Sequence, residues 1–125
     1  MINLSQVEQI HKILIEQFGG SHGVRDYSTL SSAFARSYST FDGKELYTTA
    51  IQKAAALIES ILINHPFVDG NKRTGYVIMR LLLIENSLDI HASQDEKYQF
   101  VIRIASGKSN FYDIIYWLEH HTMKF

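Results

Sequence analysis

The sequence predicts an all-α protein, a compact bundle of about six helices with room for one small β-hairpin. Three observations carry that expectation. Apolar residues recur at helical spacing through most of the chain, and no stretch alternates long enough to build a sheet. The single proline and most glycines fall where those periodic stretches stop. A length of 125 residues suits one domain, 1–125, with little room for a second.

Taken in order, Ser5 with Glu8 reads as a capping box, and Val7, Ile10, Leu14 and Phe18 follow at helical spacing until Gly19-Gly20. A polar connection to Asp26 leads to a short helix around Leu30 to Arg36, with Arg25-Asp26 read as an ion pair and cap. Asp42-Gly43 is a turn signal that could close a small hairpin within Ser37 to Lys44. From Thr49 to Asn64, Ala54, Leu57, Ile58, Ile61 and Leu62 share one face. Pro66 breaks the chain, and Asn71 to Glu85 is helical again. Its segment Tyr76 to Ile84 is apolar nearly all round, so this helix is expected at the buried centre. Gly75 costs ~1 kcal/mol against alanine inside a helix, which implies close packing or a close ligand. Ser93 with Glu96 caps a fifth helix ending at Gly107, and Ser109 opens the last, with Phe111, Ile114, Ile115 and Leu118. Tyr76, Met79, Leu83 and Trp117 read as core. His11, His22, His91 and the His120-His121 pair suggest no role.

Composition excludes several classes. With 12 Lys+Arg against 13 Asp+Glu the net charge is −1, which does not suit direct nucleic-acid binding through an overall field. The absence of cysteine excludes disulfides, thiolate zinc sites and a thiol nucleophile. The start, Met1-Ile-Asn-Leu-Ser-Gln, has neither the basic nor the apolar part of a signal peptide, and Arg80 interrupts the most apolar stretch. A soluble, cytoplasmic protein with no membrane partner is expected.

The chemistry concentrates in the break between the two apolar helices, where His65, Asp69, Asn71, Lys72 and Arg73 lie within nine positions. Placing so many polar groups between apolar helices is costly unless they find partners. A helix starting at Gly70-Asn71 offers free backbone N–H groups and the positive end of its dipole to an anion. Gly70 permits close approach of a phosphate, and Lys72 and Arg73 add fixed positive charge. Cations are disfavoured at a helix start, so an anion from outside is expected to offset them. Asp69 is a hard oxygen ligand suited to Mg2+ shared with phosphates. His65, with an ordinary pKa of ~6.5, can take a proton from an attacking hydroxyl. Pro66 and Phe67 would stiffen the loop. Singly, each of these residues is ordinary. A P-loop is excluded, because Gly70-Asn-Lys-Arg-Thr74 lacks its first glycine, its Gly-Lys-Ser/Thr ending and a preceding strand.

His65-Pro-Phe-Val-Asp-Gly-Asn-Lys-Arg-Thr-Gly75 closely resembles the motif of the Fic/Doc (Fido) family in its Doc, or death-on-curing, version. Phe18-Gly-Gly20, Gly23-Val-Arg-Asp26, the Phe41-Asp42-Gly43 turn, Lys53-Ala-Ala55, Ile104-Ala-Ser-Gly107 and Trp117 resemble Doc-like positions in the same order. The resemblance implies a Fic-type helical bundle that modifies a target protein from ATP with Mg2+. By position it implies His65 as catalytic base, Asp69 as metal ligand, Gly70 and Asn71 in the phosphate nest, and Arg73 on the outer phosphates. Phe41, Asp42 and Gly43 would belong to a flap that docks an extended target segment.

Two departures from adenylylating Fic enzymes matter. Lys72 replaces a second glycine and narrows the nest, and Tyr76 replaces a second arginine. Arg80, a turn further on, is poorly placed to substitute. The Doc version shares the lysine, which implies ATP presented γ-phosphate first, hence phosphoryl transfer, with elongation factor Tu as target. Adenylyl transfer by the same loop, and an inactive module that only binds a partner, remain the alternatives. The family's inhibitory Ser/Thr-x-x-x-Glu-Gly/Asn motif is missing, because Glu85-Asn86 has Leu81 four residues earlier. The resemblance therefore implies restraint in trans by a small antitoxin.

Overall fold

The computed structural model describes residues 2–125 and shows six helices with two small antiparallel sheets, as the helical periodicity predicts. Helix α1 spans Leu4–Phe18. Its capping box is Asn3 with Gln6 and not Ser5 with Glu8, so the helix begins two residues earlier than expected. Its buried line is Val7, His11 and Ile15, whereas Phe18 is exposed. Helix α2, Tyr27–Ser37, is longer than predicted because the Asp26 carboxylate accepts from the Thr29 amide and starts it. The expected ion pair with Arg25 does not form; that guanidinium donates to the carbonyls of Asn64 and His65, at the C-terminal end of the third helix, instead.

The predicted hairpin is present. Strand β1 (Thr40–Phe41) pairs with β2 (Lys44–Glu45), joined by Asp42 and Gly43, both at positive φ (53° and 75°) as a two-residue hairpin turn requires. Its base is tied down where Arg36 donates to Tyr47 Oη at 3.2 Å and pairs with Glu59 at 2.9 Å.

Helix α3, Ala50–Asn64, is capped by Thr49 with Gln52 and carries eight buried residues. It packs against α2, α4, α5 and α6 and is the bundle's axis. Helix α4, Asn71–Glu85, was expected in that position but lies beside it. The reason is charge: Lys72, Arg73 and Arg80 keep one side of α4 in solvent, while nothing charged interrupts the inner face of α3. Gly75 permits the contact between the two. A Cβ there would lie 3.2 Å from both Ile61 Cγ2 and Leu62 Cδ2, so helix packing accounts for this glycine. Met79 and Leu83 are fully buried, but Tyr76 and Trp117 are only partly so.

Helix α5 (Gln94–Ala105) has the predicted Ser93–Glu96 box. Helix α6 (Phe111–His121) is capped by Asn110 with Asp113 rather than by Ser109. A second sheet, unforeseen in the sequence, pairs β3 (Leu88–Ile90) with β4 (Thr122–Lys124). Arg80 clasps Asp89 of β3 with two hydrogen bonds, 2.8 and 3.0 Å, which also holds the Asp89 carboxyl below the usual range. Among the described residues, no helix is long and apolar enough to cross a membrane.

Candidate active site

The loop between α3 and α4 lines one cavity of about 360 Å3, formed by His65, Val68, Asp69, Gly70, Asn71, Lys72 and Arg73. Every loop residue singled out in the sequence is therefore brought together. The hairpin residues Phe41, Asp42 and Gly43 are not among the lining residues, although Phe41 is 76% exposed.

His65 ends α3 in the left-handed region (φ 50°, ψ 63°), which turns the chain sharply and leaves the residue exposed beside the cavity. Two backbone supports hold it. The Arg25 guanidinium donates from Nε to the His65 carbonyl at 2.7 Å and from Nη2 to the Asn64 carbonyl at 2.6 Å, closing the helix end. The Arg25 and Asp26 amides donate to the Pro66 carbonyl, and the Val68 amide donates to Gly23. These bonds, with the Val24–Phe67 bridge, fasten the segment after α1 along the motif.

The far side of the loop is braced by its own side chains. Asn71 Oδ1 accepts from the Phe67 amide at 2.9 Å and Nδ2 donates to the Phe67 carbonyl at 3.0 Å. The side chain is thus spent on closing the loop, and Asn71 can offer a ligand its backbone N–H. Phe67 is 1% exposed and anchors the turn in the core, as predicted.

Helix α4 differs from the other five in having no side-chain cap: Gly70 (φ 74°) occupies the cap position. Its first turn contains no acid, and Lys72 and Arg73 are both exposed there. The residues of that turn, two of them cations, therefore line the same cavity as His65, where a helix start has unpaired amides to offer. Arg73 rests its guanidinium 4.3 Å from the centre of the exposed Phe18 ring, which steers it without neutralising it.

Among the described residues, Asp69 is the only carboxylate lining the cavity. Its Oδ1 accepts from the Gly70 amide at 2.8 Å and its Oδ2 from the Ser21 amide at 3.2 Å. A backbone-oriented carboxylate next to an uncapped helix start would fit Mg2+, which takes one or two protein carboxylates and completes its shell with phosphates and water. No cluster of three or more His, Cys, Asp or Glu able to hold a metal exists among the described residues, so an all-protein site is not on offer.

Sequence reasoning missed the bracing residues. The sequence pairs Arg25 with Asp26 and suggests no role for His11, yet His11 Nε2 lies 2.8 Å from the Asp69 carbonyl. The usable signal was position: His11 interrupts an otherwise apolar line between Val7 and Ile15. Gly20 was read only as a helix stop. With φ at 113°, a Cβ there would stand 2.7 Å from Asp69 Oδ2. Gly20→Ala is therefore expected to push the Asp69 carboxylate aside and to destabilise the domain by about 1–2 kcal/mol through left-handed strain. A thermal melt and a titration of Mg2+ in the presence of ATP would check both effects; unchanged values would remove Gly20 from the support of Asp69.

The chain is a helical bundle whose inter-helix loop sets an imidazole, a carboxylate and two cations around one cavity at an uncapped helix start. The Fic/DOC family model matches residues 1–83, two thirds of the sequence, and the chain belongs to that family. The match ends inside α4, so α5 and α6 lie beyond it. The chain is also 42% identical over 78 residues to "Toxin Doc" of Mycolicibacterium smegmatis, an alignment covering 62% of this chain and 60% of that protein.

Proposed function

We propose that the chain is a Doc-like toxin that uses ATP and Mg2+ to phosphorylate a hydroxyl of a target protein. One observation carries this reading: the uncapped start of α4, with Lys72 and Arg73, lines the same cavity as His65. His65 would take the proton of the target hydroxyl. The hydroxyl oxygen would then bond to the γ-phosphorus as the bond from that phosphorus to the bridging oxygen breaks, releasing ADP. The helix start and its two cations would stabilise the charge on the transferring group. Asp69 would hold Mg2+, which when bound supplies charge neutralisation on the phosphates.

The choice of phosphoryl over adenylyl transfer rests on Lys72 and Tyr76. Lys72 fills a place where a second glycine would leave room. Tyr76 supplies no positive charge where a second arginine would grip a triphosphate tail, and Arg80 is already committed to Asp89. The motif resemblance alone implies a translation factor, elongation factor Tu, as target, and the likeness to a protein named "Toxin Doc" supports a small antitoxin as the inhibitor in trans. The two-stranded hairpin supports a docking role, because each strand leaves one backbone edge unpaired by another strand.

The test is incubation with a lysate freed of antitoxin and ATP labelled at the α or the γ position. Label from the γ position alone on a protein is the expected result. Transfer of the α label would replace the kinase reading with adenylyl transfer, and no transfer of either would leave a binding module.

A further inference from the structure

We propose that His11, on α1 and outside the motif, is a positioning residue that sets the peptide between Asp69 and Gly70; its consequence for catalysis rests on the function proposed above. The side chain is 3% exposed and lies on the buried line Val7–His11–Ile15. Its ring stacks on Phe67 with centroids 4.1 Å apart and planes 9° from parallel. Nε2 is 2.8 Å from the Asp69 carbonyl oxygen. That oxygen can only accept, so Nε2 carries the proton.

The peptide geometry transmits this contact to the site. A trans peptide is planar, with its C=O and N–H on opposite sides. Holding the Asp69 carbonyl against α1 therefore turns the Gly70 N–H the other way, where it meets Asp69 Oδ1 at 2.8 Å. One imidazole thus fixes both the carboxylate proposed to hold Mg2+ and the backbone that enters the α4 helix start. Helix α1 also sets the space available. A Cβ on Gly70 would lie 3.0 Å from Ile15 Cδ1 and 3.8 Å from His11 Nε2. A phenylalanine at this position could stack on Phe67 equally well, but it would press an apolar edge against the carbonyl and free the peptide to rotate.

Three variants separate the donor from the packing. His11→Gln places an amide donor near the position of Nε2, whereas His11→Phe and His11→Met keep bulk and lose the donor. Without nucleotide, the water-exchange rate of the Gly70 amide, measured by NMR, should rise about three- to tenfold in the Phe and Met variants and stay near wild type in Gln, as loss of one hydrogen bond allows. The Kd for Mg·ATP should weaken by a similar factor in the same two variants. Should Gln behave like Phe and Met, or should whichever of those two folds match wild type in Gly70 exchange, His11 only fills space and the inference is overturned. Absence of Mg·ATP binding by wild type would sink the proposed function, while the exchange comparison would still decide the role of His11.

Discussion

His65→Asn is expected to lower the proposed phosphoryl transfer by about 10²- to 10⁴-fold, the usual contribution of a positioned general base, and to leave the Kd for Mg·ATP within about a factor of two. Asparagine is the informative replacement because His65 sits at φ 50°, a region that asparagine tolerates better than most residues. The backbone that carries His65 should therefore survive: its carbonyl still receives Arg25 and its amide still donates to Ile61. The phosphate side should survive too, because the amides of α4 and the cations Lys72 and Arg73 do not depend on the imidazole. An affinity preserved with the rate lost would mark His65 as acting on the attacking hydroxyl. Undiminished γ-label transfer by a folded His65→Asn protein would remove it from the mechanism.

Much of the fold and the motif was legible because both depend on local signals. The apolar period of α3 and α4, the Asp42-Gly43 turn and the Ser93–Glu96 box each act within a few residues, and each appears as expected. The motif was legible because its residues are contiguous. What stayed hidden depends on distance along the chain. The β3–β4 sheet joins two three-residue strands whose pairing is imposed by where α4 and α6 end. The N-caps of α1 and α6 were misplaced because neighbouring polar residues offer near-equivalent capping pairs, and packing chooses between them. The bracing of the loop was hidden for the same reason as the sheet. Arg25, His11 and Gly20 lie 39 to 58 positions from the residues they support, and no periodicity reports such a contact.

Arg25→Met is expected to reduce kcat by about 10- to 100-fold, the scale on which small misplacements of a catalytic group act, with little change in KM for ATP. The split follows from the geometry. Arg25 donates to the carbonyls of Asn64 and His65, on the His65 side of the cavity, and has no hydrogen bond to the residues at the start of α4. Losing it frees the end of α3 while Asn71 still closes the loop on Phe67. Charge-assisted hydrogen bonds are worth roughly 1.5–3 kcal/mol each, but these are solvent-exposed, so a stability loss of about 1–2 kcal/mol for the pair is expected. Arg25→Lys should recover the charge but not the fork that reaches two carbonyls at once, and so should restore less than half of the lost rate. If Arg25→Met instead raises KM with kcat intact, the guanidinium serves the phosphates and not the histidine, and the division of the loop into a base side held by Arg25 and a phosphate side held by α1 is wrong.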